Sequence, residues 1–170
     1  GADLTQNAFG TVDIVLGPET RIPVADASFA TVLSTQVFEH VPEPDRYLAE
    51  AARVLRPGGH LILTCPGEYM LHEEPHDYWR YTIYGLRHLL QKHGFEIVRL
   101  DQAGGAWRLM GQTYLNHVGF GRKFTIPIVS KVTFHGWAVL CNVLCSAFDA
   151  WNMNEKETVN YMVIARKRAA

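Results

Sequence analysis

Apolar and polar positions repeat with two different periods along this chain, and each change of period marks an element. Thr31 to Thr35 is a short β-rich run entered from the polar turn Asp26-Ala27-Ser28. Asp45 to Arg56 has helical spacing, with Leu48, Ala51, Ala52 and Leu55 on one face. Pro57-Gly58-Gly59 stops that helix, because proline cannot continue it and glycine accepts the reversed backbone. His60 to Thr64 is an apolar run, the pattern of a strand covered on both faces. Strand, helix and strand within about 35 residues form a βαβ unit, which implies a parallel sheet and a right-handed crossover. Upstream, Val12 to Leu16 reads as a strand ending at Gly17-Pro18. Downstream, Thr82 is the expected N-cap of a helix through IYGLRHLLQKH, ended by Gly94. Phe95 to Leu100 follows as a strand, Trp107 to Val118 and Ile128 to Trp151 as helices, and Tyr161 to Lys167 as a last strand.

Composition narrows the class. The 170 residues are 48% hydrophobic with a net charge of −1, which suits one globular domain and gives no electrostatic footprint for nucleic acid. Three cysteines form no paired framework and fit a reducing compartment, so a cytoplasmic location is expected. Gly1 to Leu16 has no basic segment followed by an apolar one, so it does not read as a signal peptide. The longest uncharged run, Val132 to Phe148, falls just short of the roughly 18 residues a membrane span needs. It reads as a buried or oligomer-facing helix, with membrane-surface contact as the alternative. Cys141 and Cys145, one helical turn apart, read as small core hydrophobes.

Two loops gather chemistry. Gln36 to Pro44 follows a parallel strand at its carboxyl end, where open α/β sheets bind ligands. Leu71 to Thr82, LHEEPHDYWRYT, follows the next strand and concentrates His72, Glu73, Glu74, His76, Asp77, Tyr78, Trp79, Arg80 and Tyr81. Such a mix holds a substrate by hydrogen bonds and ring faces. The same residues also fit a rigid loop in which Asp77 pairs with Arg80 and the aromatics pack inward. His72, His76 and the acids are metal-ligand types. The loop contains proline and no further ligand cluster accompanies it, so no metal is expected.

The run IPVADASFATVLSTQVFEHV, followed by RVLRPGGHLILTCP, resembles the second half of a class I S-adenosylmethionine-dependent methyltransferase. The resemblance covers Asp3 to about Gly105 and the final strand. It implies a single α/β domain over 1–170, a Rossmann-like parallel sheet with an antiparallel last strand, and a helical insertion over 106–158 before that strand. Ala30 stands where the family usually has Asp, which implies weaker anchoring of the loop there, while Phe29 is expected to anchor it in the core. A run similar to H-x-x-P-x-D-Y-W-R-Y-T occurs in a bacterial subgroup of the family.

The resemblance also implies a cofactor, S-adenosylmethionine, and positions for it. Asp3, with Leu4, would meet the ribose. Gly17 and Glu19 would lie near the adenine, Glu19 being equally well a solvated loop acid. Thr35, Gln36 and Val37 would line the methionine portion. Glu39 and His40 would close the pocket or face the substrate, unless Glu39 merely caps the next helix. The methyl group arrives activated, so the protein has to align the acceptor and supply a base. His40 and His76 are the first candidates for that base and His72 the next, with Tyr78 or Tyr81 to orient the acceptor. Glu39, His72, Asp77, Trp79, Arg80 and Tyr81 are the substrate-binding candidates, and a small molecule, sugar or lipid is the implied acceptor.

Nothing in the sequence matches the family's first strand, glycine-rich loop and first helix. The expectation is therefore a fragment that binds cofactor poorly and leaves the Thr31 to Thr35 strand as an edge. That edge would be closed by the 12–16 strand or by exchange between two copies, with the 128–151 helix as another route to a homodimer. The rival readings are a non-catalytic scaffold that binds a partner and a metal-dependent hydrolase.

Overall fold

The chain is described here by a computed structural model, which describes residues 2–3, 8–15, 21–120, 128–152 and 156–169. Its elements in order are β1 (Ala2–Asp3), β2 (Ile14–Val15), β3 (Phe29–Thr35), α1 (Pro44–Val54), β4 (Leu55–Pro66), α2 (Ile83–Lys92), β5 (Phe95–Ala103), α3 (Ala106–Phe120), α4 (Ile128–Trp151) and β6 (Asn160–Lys167). A single 3-10 turn, Phe38–His40, sits between β3 and α1.

The main sheet has the order β3-β4-β6-β5. β3 runs parallel to β4, with Thr31 opposite His60 and Thr35 opposite Thr64, as the βαβ pattern requires. β6 is antiparallel to both β4 and β5, so the last strand reverses the sheet direction. α1 and α2 cover the sheet and bury Leu48, Ala51, Leu86 and Leu90 against Leu61, Leu63 and Val163. Proline at the start of α1 loses nothing there, since the first amides of a helix have no internal acceptor. Thr82 caps α2 by accepting from the Gly85 amide at 3.1 Å, and Gly94 takes a positive φ of 79° just past its end.

Four expectations change. α1 ends at Val54, and Leu55 already belongs to β4, opposite Phe29. The register then jumps to Thr31 opposite His60, so Arg56 to Gly59 form an irregularity inside the strand rather than a turn before it. The expected 12–16 strand is two residues long and pairs with β1 in a separate parallel ladder, so it does not close onto β3. β3 thus has a strand partner on one side among the described residues, and its Phe29 and Leu33 are 40% and 67% exposed. Phe29 is not a core anchor. Arg53 fixes that stretch instead: its guanidinium donates to the Ile22 and Val24 carbonyls and to the Asp26 and Glu50 carboxylates.

Between β5 and β6, where an insertion is expected from the sequence, lies a pair of helices, α3 and α4. Gly111 brings them together, since a Cβ there would lie 2.7 Å from the Cys145 Sγ. Cys141 and Cys145 therefore line a half-buried seam between helices and are not in the core. The Asp149 carboxylate, buried on α4, accepts from the Gly105, Trp107 and Arg108 amides at 2.8, 3.0 and 3.2 Å and so caps α3. Contrary to a buried α4, Trp137, Val139, Leu140, Val143 and Leu144 are exposed. No described helix is long and apolar enough to cross a membrane.

Candidate functional site

β3 and β4 are adjacent and parallel, so the loops at their carboxyl ends emerge side by side. Backbone bonds then lock the two loops together. The Tyr78 and Trp79 amides both donate to the Glu39 carbonyl, at 3.0 and 3.2 Å, and His40 Nδ1 lies 2.8 Å from the His76 carbonyl. Trp79 adds its indole N–H to the Val41 carbonyl at 2.8 Å. Tyr81 reaches beneath, stacking on Phe38 at a centroid distance of 4.6 Å and donating to the Phe38 carbonyl.

The second loop is shaped by one ion pair. Arg80 meets the Asp77 carboxylate with both nitrogens, at 2.7 and 2.6 Å, and also donates to the Tyr69, Met70 and Trp79 carbonyls. A guanidinium with five donors suits such a many-sided contact. It holds the Asp77 carboxyl well below the usual range, at about 2. Asp77 and Arg80 thus build the loop, and Tyr81 is buried beneath it, where desolvation raises its phenol pKa. His76, Tyr78 and Trp79 remain exposed, with His76 Nδ1 3.3 Å from the Tyr78 hydroxyl.

Between the loops lies a feature that neither loop suggests by itself. The Glu39 side chain is fully buried, and neither carboxylate oxygen has a hydrogen-bond partner. Burial raises its pKa, opposed first by its own backbone N–H, which does not reach hydrogen-bond geometry, and then by the nearby His40, His72 and Arg80. Its Oε1 lies 3.8 Å from His40 Nε2 and 4.0 Å from His72 Nε2. One ligand atom from each of these three residues falls within 4.8 Å of the others. Glu39 faces this cluster and does not cap α1: the residue at the helix start, Glu43, makes no side-chain cap bond either.

On the cofactor side, Thr35, Gln36 and Val37 sit exposed at the carboxyl end of β3, and Gln36 turns the chain with a φ of 51°. The Gln36 amide nitrogen is engaged, donating to Thr64 Oγ1 and Asn160 Oδ1 at 3.1 Å each, so it pins three strand ends together. Leu4, Gly17 and Glu19 lie outside the described residues, and Asp3 is described only as part of β1.

A cleft of about 670 Å³ opens beside the second loop, lined by Tyr69, Met70 and Arg80 on one side and Leu109, Gln112 and Thr113 of α3 on the other. The α3 residues were absent from the sequence-derived site. They carry no motif and reach the cleft only because Asp149 docks α3.

Residues 2–63 match the family model described as a methyltransferase domain. That part of the chain, from β1 into β4, is similar to a methyltransferase domain. A curated relative, the malonyl-[acyl-carrier protein] O-methyltransferase of Methylococcus capsulatus, is 33% identical over 100 residues, covering 52% of this chain and 36% of its own length. The chain thus spans about a third of that relative. Among solved structures, an S-adenosylmethionine-dependent methyltransferase from Archaeoglobus fulgidus has a TM-score of 0.57 at 15% identity, covering 98% of this chain and 75% of its own. The [4+2]-cyclase SpnF also has a TM-score of 0.57, at 19% identity, with coverage of 96% and 58%. At these identities the chain shares the fold with both, and the cyclase shows why the chemistry has to be argued from the site.

Proposed function

We propose that this chain transfers a methyl group from S-adenosylmethionine to a small-molecule, sugar or lipid acceptor. The carrying observation is the junction of the β3 and β4 loops at the carboxyl edge of the sheet, where five hydrogen bonds to backbone carbonyls hold exposed and buried polar groups together. The exposed backbone turn of Thr35, Gln36 and Val37 fits the methionine end of the cofactor, which supplies a sulfonium-activated methyl group when bound. These residues hold and orient, and the chain contributes alignment.

His76 is the general base in this reading. Its Nδ1 lies 3.3 Å from the Tyr78 hydroxyl, and both side chains are exposed on the second loop, so Tyr78 orients the acceptor while His76 takes its proton. Trp79 offers a ring face. His40, turned toward Glu39 and His72, holds the cluster between the loops. Arg80 and Asp77 support the acceptor by fixing the loop that lines the cleft.

Binding of cofactor is expected to be weak. The methionine end would rest at β3, whose outer side has no strand beside it among the described residues, so it is covered from one side only. Calorimetric titration of S-adenosylhomocysteine should give one site with a Kd above about 1 μM, or less than roughly 8 kcal/mol of binding free energy. Nanomolar binding would show a closed pocket, and no binding would favour a scaffold without catalysis. Transfer of labelled methyl to a metabolite extract should fall at least ~100-fold in His76→Ala, within the usual contribution of a general base.

A further inference from the structure

We propose that Glu39, His40 and His72 form a binding site for a divalent transition-metal ion of the zinc type. Three independent features of the cluster converge on this. The first is the orphaned acid. A carboxylate buried without a hydrogen bond is costly, and proteins keep buried charges when they are paired or ligate a metal. At 3.8 and 4.0 Å the two imidazoles are too far from Glu39 Oε1 to be hydrogen-bond donors to it.

The second is the tautomer that each imidazole is held in. His40 Nδ1 faces the His76 carbonyl at 2.8 Å, which requires the proton on Nδ1. His72 Nδ1 has two acceptors around it, the Met70 carbonyl at 3.3 Å and Asp77 Oδ2 at 3.1 Å, both nearer than the one donor, Arg80 Nη2 at 3.5 Å, so its proton is assigned there too. Both Nε2 atoms therefore present lone pairs toward the Glu39 carboxylate. Two lone pairs facing an anion have no attraction for it, and a cation between them reconciles all three. A carboxylate or carbonyl on the far nitrogen is also how metal-binding histidines are oriented.

The third is size. Zinc bonds of about 2.0–2.2 Å in a tetrahedron place donors roughly 3.3 Å apart. The two Glu39–histidine pairs, at 3.8 and 4.0 Å, stand less than an ångström wider than that and all three donors lie within 4.8 Å of one another, a closure within reach of side-chain rotation. Two imidazole nitrogens and one carboxylate favour zinc over magnesium or calcium, which prefer oxygen alone. Three protein ligands leave a fourth position, open to water or an oxygen of a bound molecule. Glu73, whose Oε2 is 3.9 Å from His40 Nε2, is the flexible alternative. The site does not depend on methyl transfer and stands even where the cofactor fails to bind.

Cobalt(II) chloride titrated into the chelator-stripped full chain tests this through its visible absorption. One equivalent should give saturable bands of four- or five-coordinate intensity, which zinc chloride then abolishes. Glu39→Gln and His72→Ala should each weaken uptake at least tenfold. Asp77→Asn should weaken it about 10- to 100-fold through the orientation of His72. His88→Ala, exposed on α2 outside the cluster, should leave it unchanged. Without metal, Glu39→Gln should melt at or above the parent temperature, and zinc should raise the melting of the parent but not of the variant. If Glu39→Gln fails to fold, the half-buried His72→Ala decides. No saturable bands in the parent, or uptake indifferent to Glu39→Gln and His72→Ala, would overturn the proposal.

Discussion

Phe38 lies fully buried between Tyr81, stacked at 4.6 Å, and Tyr47 at 5.7 Å, and so clamps the turn that carries Glu39 and His40. Phe38→Ala should cost about 3–5 kcal/mol, the usual range for an aromatic deleted from a core, measured as a shift in the urea midpoint. Asp77 gives a pH dependence of known sign. Its pKa is held at about 2 by Arg80, below the ordinary value of 3.8. The unfolded chain then binds a proton before the folded one does. The stabilisation is fully present above about pH 5 and fades as the pH falls through 4 toward 2. The stability gap between the parent and Asp77→Asn should therefore narrow over that range, and a gap constant from pH 6 to 2 would refute the pairing. Cys65, buried with its thiol pushed up to about 12, should resist alkylation at neutral pH while the chain is folded.

At the scale of elements, two joints decide where the site walls stand. One is Asp149, which gathers three amides at the start of α3. Asp149→Ala should destabilise the α3–α4 pair by about 1.5–3 kcal/mol, seen as faster hydrogen exchange at Gly105, Trp107 and Arg108 with the main sheet unaffected. The other is Gly67, just past β4, where a Cβ would meet the Thr158 carbonyl at 2.6 Å. Backbone cannot yield as a side-chain tip does, so Gly67→Ala should lower the melting temperature and disturb the loop carrying Tyr69 and Met70. The βαβ unit itself was legible from period and punctuation, because its strands and helix are consecutive. Its joint at Leu55 was not: helical spacing fits Leu55 equally well, and only pairing with Phe29 draws it into β4.

For the molecule as a whole, the loop after β4 supplies one wall of the cleft and α3 the other. Filling the cleft from the α3 side, by Thr113→Trp, should raise the acceptor KM at least tenfold while leaving S-adenosylhomocysteine affinity unchanged. A loss of both would mean that the cleft belongs to the cofactor. α4 turns a row of large apolar residues outward, Trp137, Val143 and Leu144 among them, which a helix pair serving only as a wall does not require.

The sequence by itself determined the order of strands and helices, the parallel crossover and the resemblance to methyltransferases, because each rests on contacts between near neighbours in the chain. It also picked out Glu39, His40 and His72, but with separate roles. Only the tertiary structure brought them into one cluster, since His72 reaches Glu39 only once β3 and β4 lie side by side and Arg80 folds the second loop back. The docking of α3 by Asp149 was hidden for the same reason: a single acid in an apolar helix carries no period, and its meaning appears only when the amides of Gly105, Trp107 and Arg108 close around it.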